Sequence, residues 1–321
     1  QDEEEPVMKG NGRYKVLLFF FVPVLILFAV GFVFGPLGAG FFGTKPPGIF
    51  QVPKPTVDLP AEPICHVGHF SLTNTLIASW LTIIVLVGLS LLLTRKMKLI
   101  PGKGQAMAEL VVEGLLNFVE SVAGKKHARM LFPEVATIFL YVITNAYLAL
   151  LPFFGSIGLH EHNDKLAPLF RAANTDVNTP LSIAIMSFCL VEYWGMKSLG
   201  VVHYLSEFIN VRQLGQGFKA LLAGRIGSAV MDIFFGFINL FVGLLEIFSH
   251  IMRMLSFTFR LFGNMTAGEI LILVSSFLIP LAFTIPFYGL ELLIGLIQAL
   301  IFSGLTLVFG TIAVSPHEET E

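Results

Sequence analysis

The 321-residue chain is 55% hydrophobic and only 13% charged, with 32 phenylalanines and a mean hydropathy of +0.80. This composition excludes a soluble globular domain, and a formal net charge of −2 argues for neither an acidic nor a basic partner, nucleic acid included. Short alternating segments of the β-barrel kind are missing, so the fold class is all-α: a polytopic helical membrane protein.

In chain order, apolar stretches long enough to cross a bilayer (about 20 residues) fall near 15–35, 72–94, 134–153 and 179–197, then over a block at 229–279 and a last span at 284–313. Pro and Gly mark the breaks: Pro36 to Pro60, Pro101-Gly102, Pro152 to Gly158, Pro180, and Pro280 to Pro286. The first run follows Lys9, Arg13 and Lys15 as a signal peptide would. It is too long for a signal h-region and lacks a small-residue cleavage site, so it reads as a retained anchor. Residues 104–122 differ from the spans. Their apolar positions recur at helical spacing, with Glu109, Glu113 and Glu120 on the other side, which predicts an amphipathic helix lying along the membrane surface. A continuous helix over 229–279 would be roughly 75 Å long against a hydrocarbon core of about 30 Å. It must break into a hairpin or run strongly tilted, and the absence of proline through IFSHIMRMLSFTFRLFGNM favours the tilted helix.

Orientation follows from the basic residues. With residues 1–14 on the cytoplasmic side, that side receives fourteen Lys and Arg and the other four, Lys45, Lys54, Lys165 and Arg171, with Arg253 and Arg260 left inside the membrane. Both termini are then cytoplasmic.

Those two intramembrane arginines carry the main chemical signal. On a helix, Glu246, Ser249, Arg253, Ser256 and Asn264 all fall within about 40° of Arg260, with His250 at the rim near 80°. The bland reading is a polar face packed on the chain's own helices, with Glu246 paired to Arg253. Intramembrane charge, however, is costly and seldom kept without a use. Gly263 and Ala267 share the stripe, and small residues let a neighbouring helix approach closely in lipid. Glu269 lies on the opposite side of the helix from Arg260 and cannot be its simple ion-pair mate. On the last span, Thr284, Glu291 and Gln298 are spaced by seven and share a face. Either that stripe is satisfied internally, or Glu291 meets Glu269 across two helices as a carboxylate pair that holds and exchanges one proton.

The stretches FRLFGNMTAGE (259–269), Gln298-Ala299-Leu300-Ile301-Phe302, TDVNTPL (175–181) and NTLIASWLTIIVLVGLSLLLTRKMKLIPG together resemble subunit a of the F-type ATP synthases over about residues 72 to 313. The resemblance implies two long, tilted helices forming a hairpin beside a rotor ring. It implies that Arg260 faces the ring's carboxylates and that Asn264 stands beside it. Glu269, Glu291 and Gln298 correspond to the ion pathway on the non-cytoplasmic side, with Glu291 at a position that is histidine in some members. Glu246, Ser249, Arg253 and Ser256 correspond to the cytoplasmic side, and Asp176 and Asn178 to the non-cytoplasmic opening. Asn145 is offset by one residue from the family's asparagine before Pro152, which puts its channel assignment in question. Residues 1–71 form an N-terminal extension with an extra span, and 72–321 the subunit a core.

The function so implied is translocation of ions, by default protons, through two offset half-channels against a rotating c-ring. A rotor carboxylate must release its ion to pass a fixed cation, and Arg260, which does not deprotonate, is that barrier. The chain would perform no bond chemistry, and no phosphate-cradling glycine pattern is present. No cofactor or metal is expected. Expected partners are the c-ring, peripheral-stalk b subunits and the lipid bilayer, in a bacterial plasma membrane. The competing reading is a self-contained ion-coupled transporter, which predicts internal repeats with broken helices that the sequence lacks; a structural scaffold is a third.

Several weaker signals read blandly. Cys65, His66, His69, His160 and His162 are taken as solvated loop residues and not as a metal site. Glu161, His162 and Asp164 could gather protons at the opening. Glu192 is given a structural role, and His203 with Glu207 an ordinary surface pair.

Overall fold

The structure is a computed structural model that describes residues 11–43, 60–67, 70–95, 97–154, 157–160, 166–201, 204, 215 and 226–314. His69, Glu161, His162, Asp164, His203 and Glu207 lie outside the described residues, as do the side chains of His66 and His160.

Seven helices carry the described chain: α1 (Asn11–Phe34), α2 (Pro36–Phe42), α3 (Asn74–Thr94), α4 (Lys103–Ala149), α5 (Asn178–Leu199), α6 (Ile226–Leu278) and α7 (Ile285–Val314). Two small antiparallel hairpins, absent from the sequence reading, precede α3 and α5: β1 (Pro63–Val67) with β2 (Phe70–Thr73), and β3 (Gly158–His160) with β4 (Leu166–Pro168). Among the described residues, α3, α4, α5, most of α6 and α7 are long and apolar enough to span a bilayer. The bent pair formed by Phe21–Phe34 and α2, at 57°, makes a sixth candidate. The expected all-α membrane architecture is therefore the observed one.

The predicted surface helix and the third predicted span join into α4, which is broken at Gly124 (φ 69°, ψ 158°). Only glycine adopts that positive φ without a Cβ penalty, so this residue sets the turn between an amphipathic first half and an apolar second half. Leu115, Val119 and Ala123, four apart, form the buried side of the first half, while Met107 and Leu110 are exposed. The 229–279 block is one uninterrupted helix, as the lack of proline predicts.

The chain divides into two compact units. The larger takes in residues 60–265 and 295–314 of the described chain, and its core gathers Phe139, Val142, Ala146, Ala184, Phe257, Leu261, Ala299 and Phe302. Within it α6 and α7 run antiparallel: Phe257 stacks on Phe302 at 4.9 Å, and the Arg253 guanidinium lies 3.5 Å over the Phe309 ring. Small residues allow α7 to sit close to α4, since a Cβ at Gly295 would come within 2.9 Å of the Ala146 Cβ.

The smaller unit joins the N-terminal helices to residues 266–294. There Gly31 and Gly35 lie directly against Ile279 and Pro280, and Phe28 packs on Phe283 at 5.9 Å. Next to Pro280, Leu281 holds φ 80°, a costly conformation for a residue with a Cβ. The anchor helix thus braces the strained turn that joins α6 to α7. A side chain at Gly31 would strike the Pro280 carbonyl, whereas one at Gly40 meets nothing. We expect Gly31→Val to destabilise the fold by about 1–3 kcal/mol, the usual cost of overpacking, and Gly40→Val to leave it unchanged. Thermal unfolding of the purified complex distinguishes the two, and equal midpoints would refute the bracing role.

Candidate functional site

Arg260 lies in α6, half-buried, and its hydrogen-bond contact is to Ser256 Oγ one turn back at 3.5 Å, the outer limit for such a bond. Within its own unit and among the described residues, no carboxylate stands at ion-pair distance from it. Its neighbours on the stripe leave room outside: Gly263 and Asn264 are exposed, and a Cβ at Gly263 would meet nothing within 4 Å. Asn264 Nδ2 donates to Gln298 Oε1 at 2.9 Å, and Gln298 is itself 2% exposed on α7. The antiparallel α6–α7 contact thereby brings together Arg260, Asn264 and Gln298, three of the residues the motif marks.

Glu269 and Glu291 belong to the smaller unit. Glu291 is buried, and its carboxylate fills the place where a side chain on Gly268 would stand. Glycine at 268 is therefore required for the carboxylate to reach this position on α6. Glu269, the next residue, is half-buried.

The arginine stripe departs from the pairing of Glu246 with Arg253. Arg253 is taken up by the face of Phe309, a cation–π contact that also shields the guanidinium, and Glu246 turns to His250. The His250 ring lies between two carboxylates, with Nδ1 3.0 Å from Glu192 Oε1 on α5 and Nε2 3.3 Å from Glu246 Oε1. Ser249 is on the same stretch of α6.

Two further sequence-marked residues, Asp176 and Asn178, line a cavity of about 1090 Å³ bounded by α3, α4 and α5. Asp176 and Asn178 line its hairpin end, where Asp176 accepts from Thr75 Oγ1 (3.1 Å) and from the backbone N–H (3.1 Å) and Nδ2 (3.0 Å) of Asn178. Deeper in, Ser79 and Tyr141 share a hydrogen bond of 2.7 Å. Asn145 does not line the cavity. It is buried in the α3–α4 contact, donating to Thr82 Oγ1 at 3.0 Å.

Three residues carry more than the sequence alone assigned them. Glu134, 9% exposed, lines the cavity, and both its carboxylate oxygens are buried without a hydrogen-bond partner among the described residues. It stands where the basic run Lys125-Lys126-His127-Ala128-Arg129 gives way to the apolar span, a place where a solvated charge is the default reading. Glu192 and His250 are the other two. The spacing of Glu246 and His250, four apart on one helix, is a readable signal; the approach of Glu192 from another helix is not.

A family model described as ATP synthase A chain matches residues 76–311. The chain belongs to the ATP synthase A chain family. Relatives named ATP synthase subunit a include that of Trichlorobacter lovleyi, 28% identical over 77% of this chain and 89% of the relative. That of Gloeobacter violaceus is 29% identical over 77% and 85%. A protein named ATP synthase subunit a 2 from Bradyrhizobium sp. is 27% identical over 78% and 92%. The matched region takes in α3 to α7 and every residue of the α6–α7 motif. Family membership and the apolar helices make this an integral membrane subunit of the ATP synthase Fo sector, engaged in ion transport.

The Gly268–Glu291 contact can be tested directly. The Glu291 carboxylate is the far end of a flexible side chain, so Gly268→Ala should displace it at little cost to assembly. We expect ATP-driven ion uptake by the reconstituted complex to fall roughly tenfold, equivalent to about 1.4 kcal/mol on the limiting step. Adding Glu291→Asp, one methylene shorter, should recover part of the loss. A double variant no better than Gly268→Ala alone would show that the contact does not govern transport.

Proposed function

We propose that the chain conducts protons through two offset half-channels, with Arg260 as the fixed charge between them, and so couples the transmembrane gradient to rotation of a c-ring. The observation that carries this reading is an arginine in an apolar helix with no carboxylate at ion-pair distance among the described residues of its own unit, flanked by an exposed glycine and asparagine. A guanidinium remains charged in such a place, and a counter-charge from another chain would answer it. A ring carboxylate suits that role. Opposite Arg260 the ionised carboxylate is stabilised and the loaded form is not, so each ring site gives up its proton before passing. Reloaded, it turns through lipid in the neutral form. The same cation repels protons from a direct path between the half-channels.

On the non-cytoplasmic side, the cavity lined by Asp176, Asn178, Thr75, Ser79 and Tyr141 supports a hydrated approach, and Glu269, Glu291 and Gln298 supply the groups nearer the ring. On the cytoplasmic side, Glu246, Ser249, Arg253 and Ser256 line the second half-channel. Asn145, held in the α3–α4 contact, acts through position and not as a channel ligand. Residues 72–321 form the conducting core, and the N-terminal extension supports the α6–α7 turn. The basic residues set both termini on the cytoplasmic side of a bacterial inner membrane, where the chain works with the c-ring and the b subunits of the peripheral stalk. It performs no bond chemistry of its own.

Arg260→Ala should abolish ATP-driven proton uptake by the reconstituted complex while assembly persists, and should raise passive leak once the catalytic head is removed. Arg260→Lys should also lose most uptake, since an amine can shed its proton in an apolar site. Normal uptake by Arg260→Ala would return the stripe to structural packing.

A further inference from the structure

The Glu192–His250–Glu246 set lies apart from the motif residues and bridges two helices. Its exposures are graded: the side chains of His250 and Glu192 are 12% and 16% exposed, and that of Glu246 is 52%. Both imidazole nitrogens lie close to carboxylate oxygens, and among the described residues Glu192 Oε1 is buried without a completed hydrogen bond, 3.0 Å from Nδ1. The Phe188 ring meets the imidazole edge-on, at 5.7 Å and 89°, which fixes the plane of the ring between its two acceptors. Arg253, three residues further along α6, is within electrostatic reach of Glu246, Glu192 and Tyr204 while stacked on Phe309.

We propose that these three side chains form a proton relay that completes the cytoplasmic half-channel, and that this stage passes protons but not alkali cations. The proposal rests on the half-channel reading above. Imidazole is the side chain suited to accept a proton at one nitrogen while releasing another from the opposite one. In the forward step the Glu192 carboxylic O–H breaks as an N–H forms at Nδ1, and the proton on Nε2 passes to the Glu246 carboxylate. One proton has moved from the buried carboxyl to the exposed one, and none has been created or consumed. The ring is left with its proton on Nδ1, and water resets it by taking that proton and returning one to Nε2. A hard cation needs several oxygen ligands at once. Here the nearest carboxylate oxygens are turned to ring nitrogens, and the imidazole between them offers no oxygen.

The test uses the whole reconstituted complex and reads ATP-driven uptake for wild type, His250→Gln, Glu192→Gln and Arg260→Ala side by side. His250→Gln should reduce proton uptake roughly tenfold or more, with normal assembly, and added imidazole should restore part of it. Glu192→Gln, nearly isosteric, should give a similar loss that imidazole does not repair. Wild-type uptake in His250→Gln, a loss unmoved by imidazole, or uptake that follows sodium and not pH would each overturn the relay. Should His250→Gln fail to assemble, Glu192→Gln decides alone, and wild-type uptake in it is the overturning result. If the relay variants pump normally while Arg260→Ala does not, the relay falls and the half-channel reading stands. If Arg260→Ala also pumps normally, the half-channel reading has failed first.

Discussion

A guanidinium in an apolar helix cannot relieve its own charge, and much else in the chain follows from that constraint. Arg253 and Arg260 lie seven residues apart on one helix and meet it in opposite ways. Arg253 is covered by an aromatic face and balanced by two carboxylates of its own unit, as a structural arginine should be. Among the described residues, Arg260 has a hydrogen bond only to a serine hydroxyl, at the limit of such bonding, and open space at Gly263 beside it. The contrast separates an arginine that completes the fold from one that the fold holds ready for a partner.

Holding it ready depends on the packing behind it. Leu261, fully buried, and Phe257, buried against Phe302 and Phe309, anchor the flank of the helix beside the open stripe. Behind α7, the absence of side chains at Gly295 and Gly310 lets α4 approach through Ala146 and Leu131. In lipid, where the tails are as apolar as leucine, such close van der Waals contact takes over the role that hydrophobic burial has in water. Gln298 then adds a directional constraint, fixing Asn264 one turn beyond the arginine.

How far the sequence carries this picture varies with the distance between the residues involved. The spans, the uninterrupted long helix and the polar stripe are local periodicities, and α6 and α7 follow them within a few residues. The Gly124 break is hidden because a basic run separates the predicted surface helix from the next span, and the one proline of the joint, Pro133, stands at the start of the span and not at the turn. The β hairpins are too short to show alternation. Pairings between helices were legible only where a family pattern marked both members, as with Asn264 and Gln298. Glu192 and His250 belong to different helices and to no pattern quoted in advance, so their meeting emerges only from the fold. Glu246 and Arg253 interact only at a distance for a related reason: along one helix the arginine is the obvious mate, but a ring on α7 and an imidazole one turn away take up the direct contacts.

On the reading proposed above, the two sides of the transport path also differ in chemistry. Among the described residues, the cavity between α3, α4 and α5 presents hydroxyls, an amide and carboxyls, from Thr75, Ser79, Tyr141, Asn178, Asp176 and Glu134. Oxygen-rich linings of that kind can accommodate either a hydrated cation or a proton moving through water, and so discriminate weakly. The α5–α6 contact narrows to an imidazole held between two carboxylates, through which a proton can be handed on but an alkali ion has no run of oxygen ligands to follow. If the ion were chosen only by the ring, the stator would have no need of this difference. An unselective approach followed by a proton-specific exit instead lets the stator reinforce the ring's choice at the place where a wrong ion would otherwise be released.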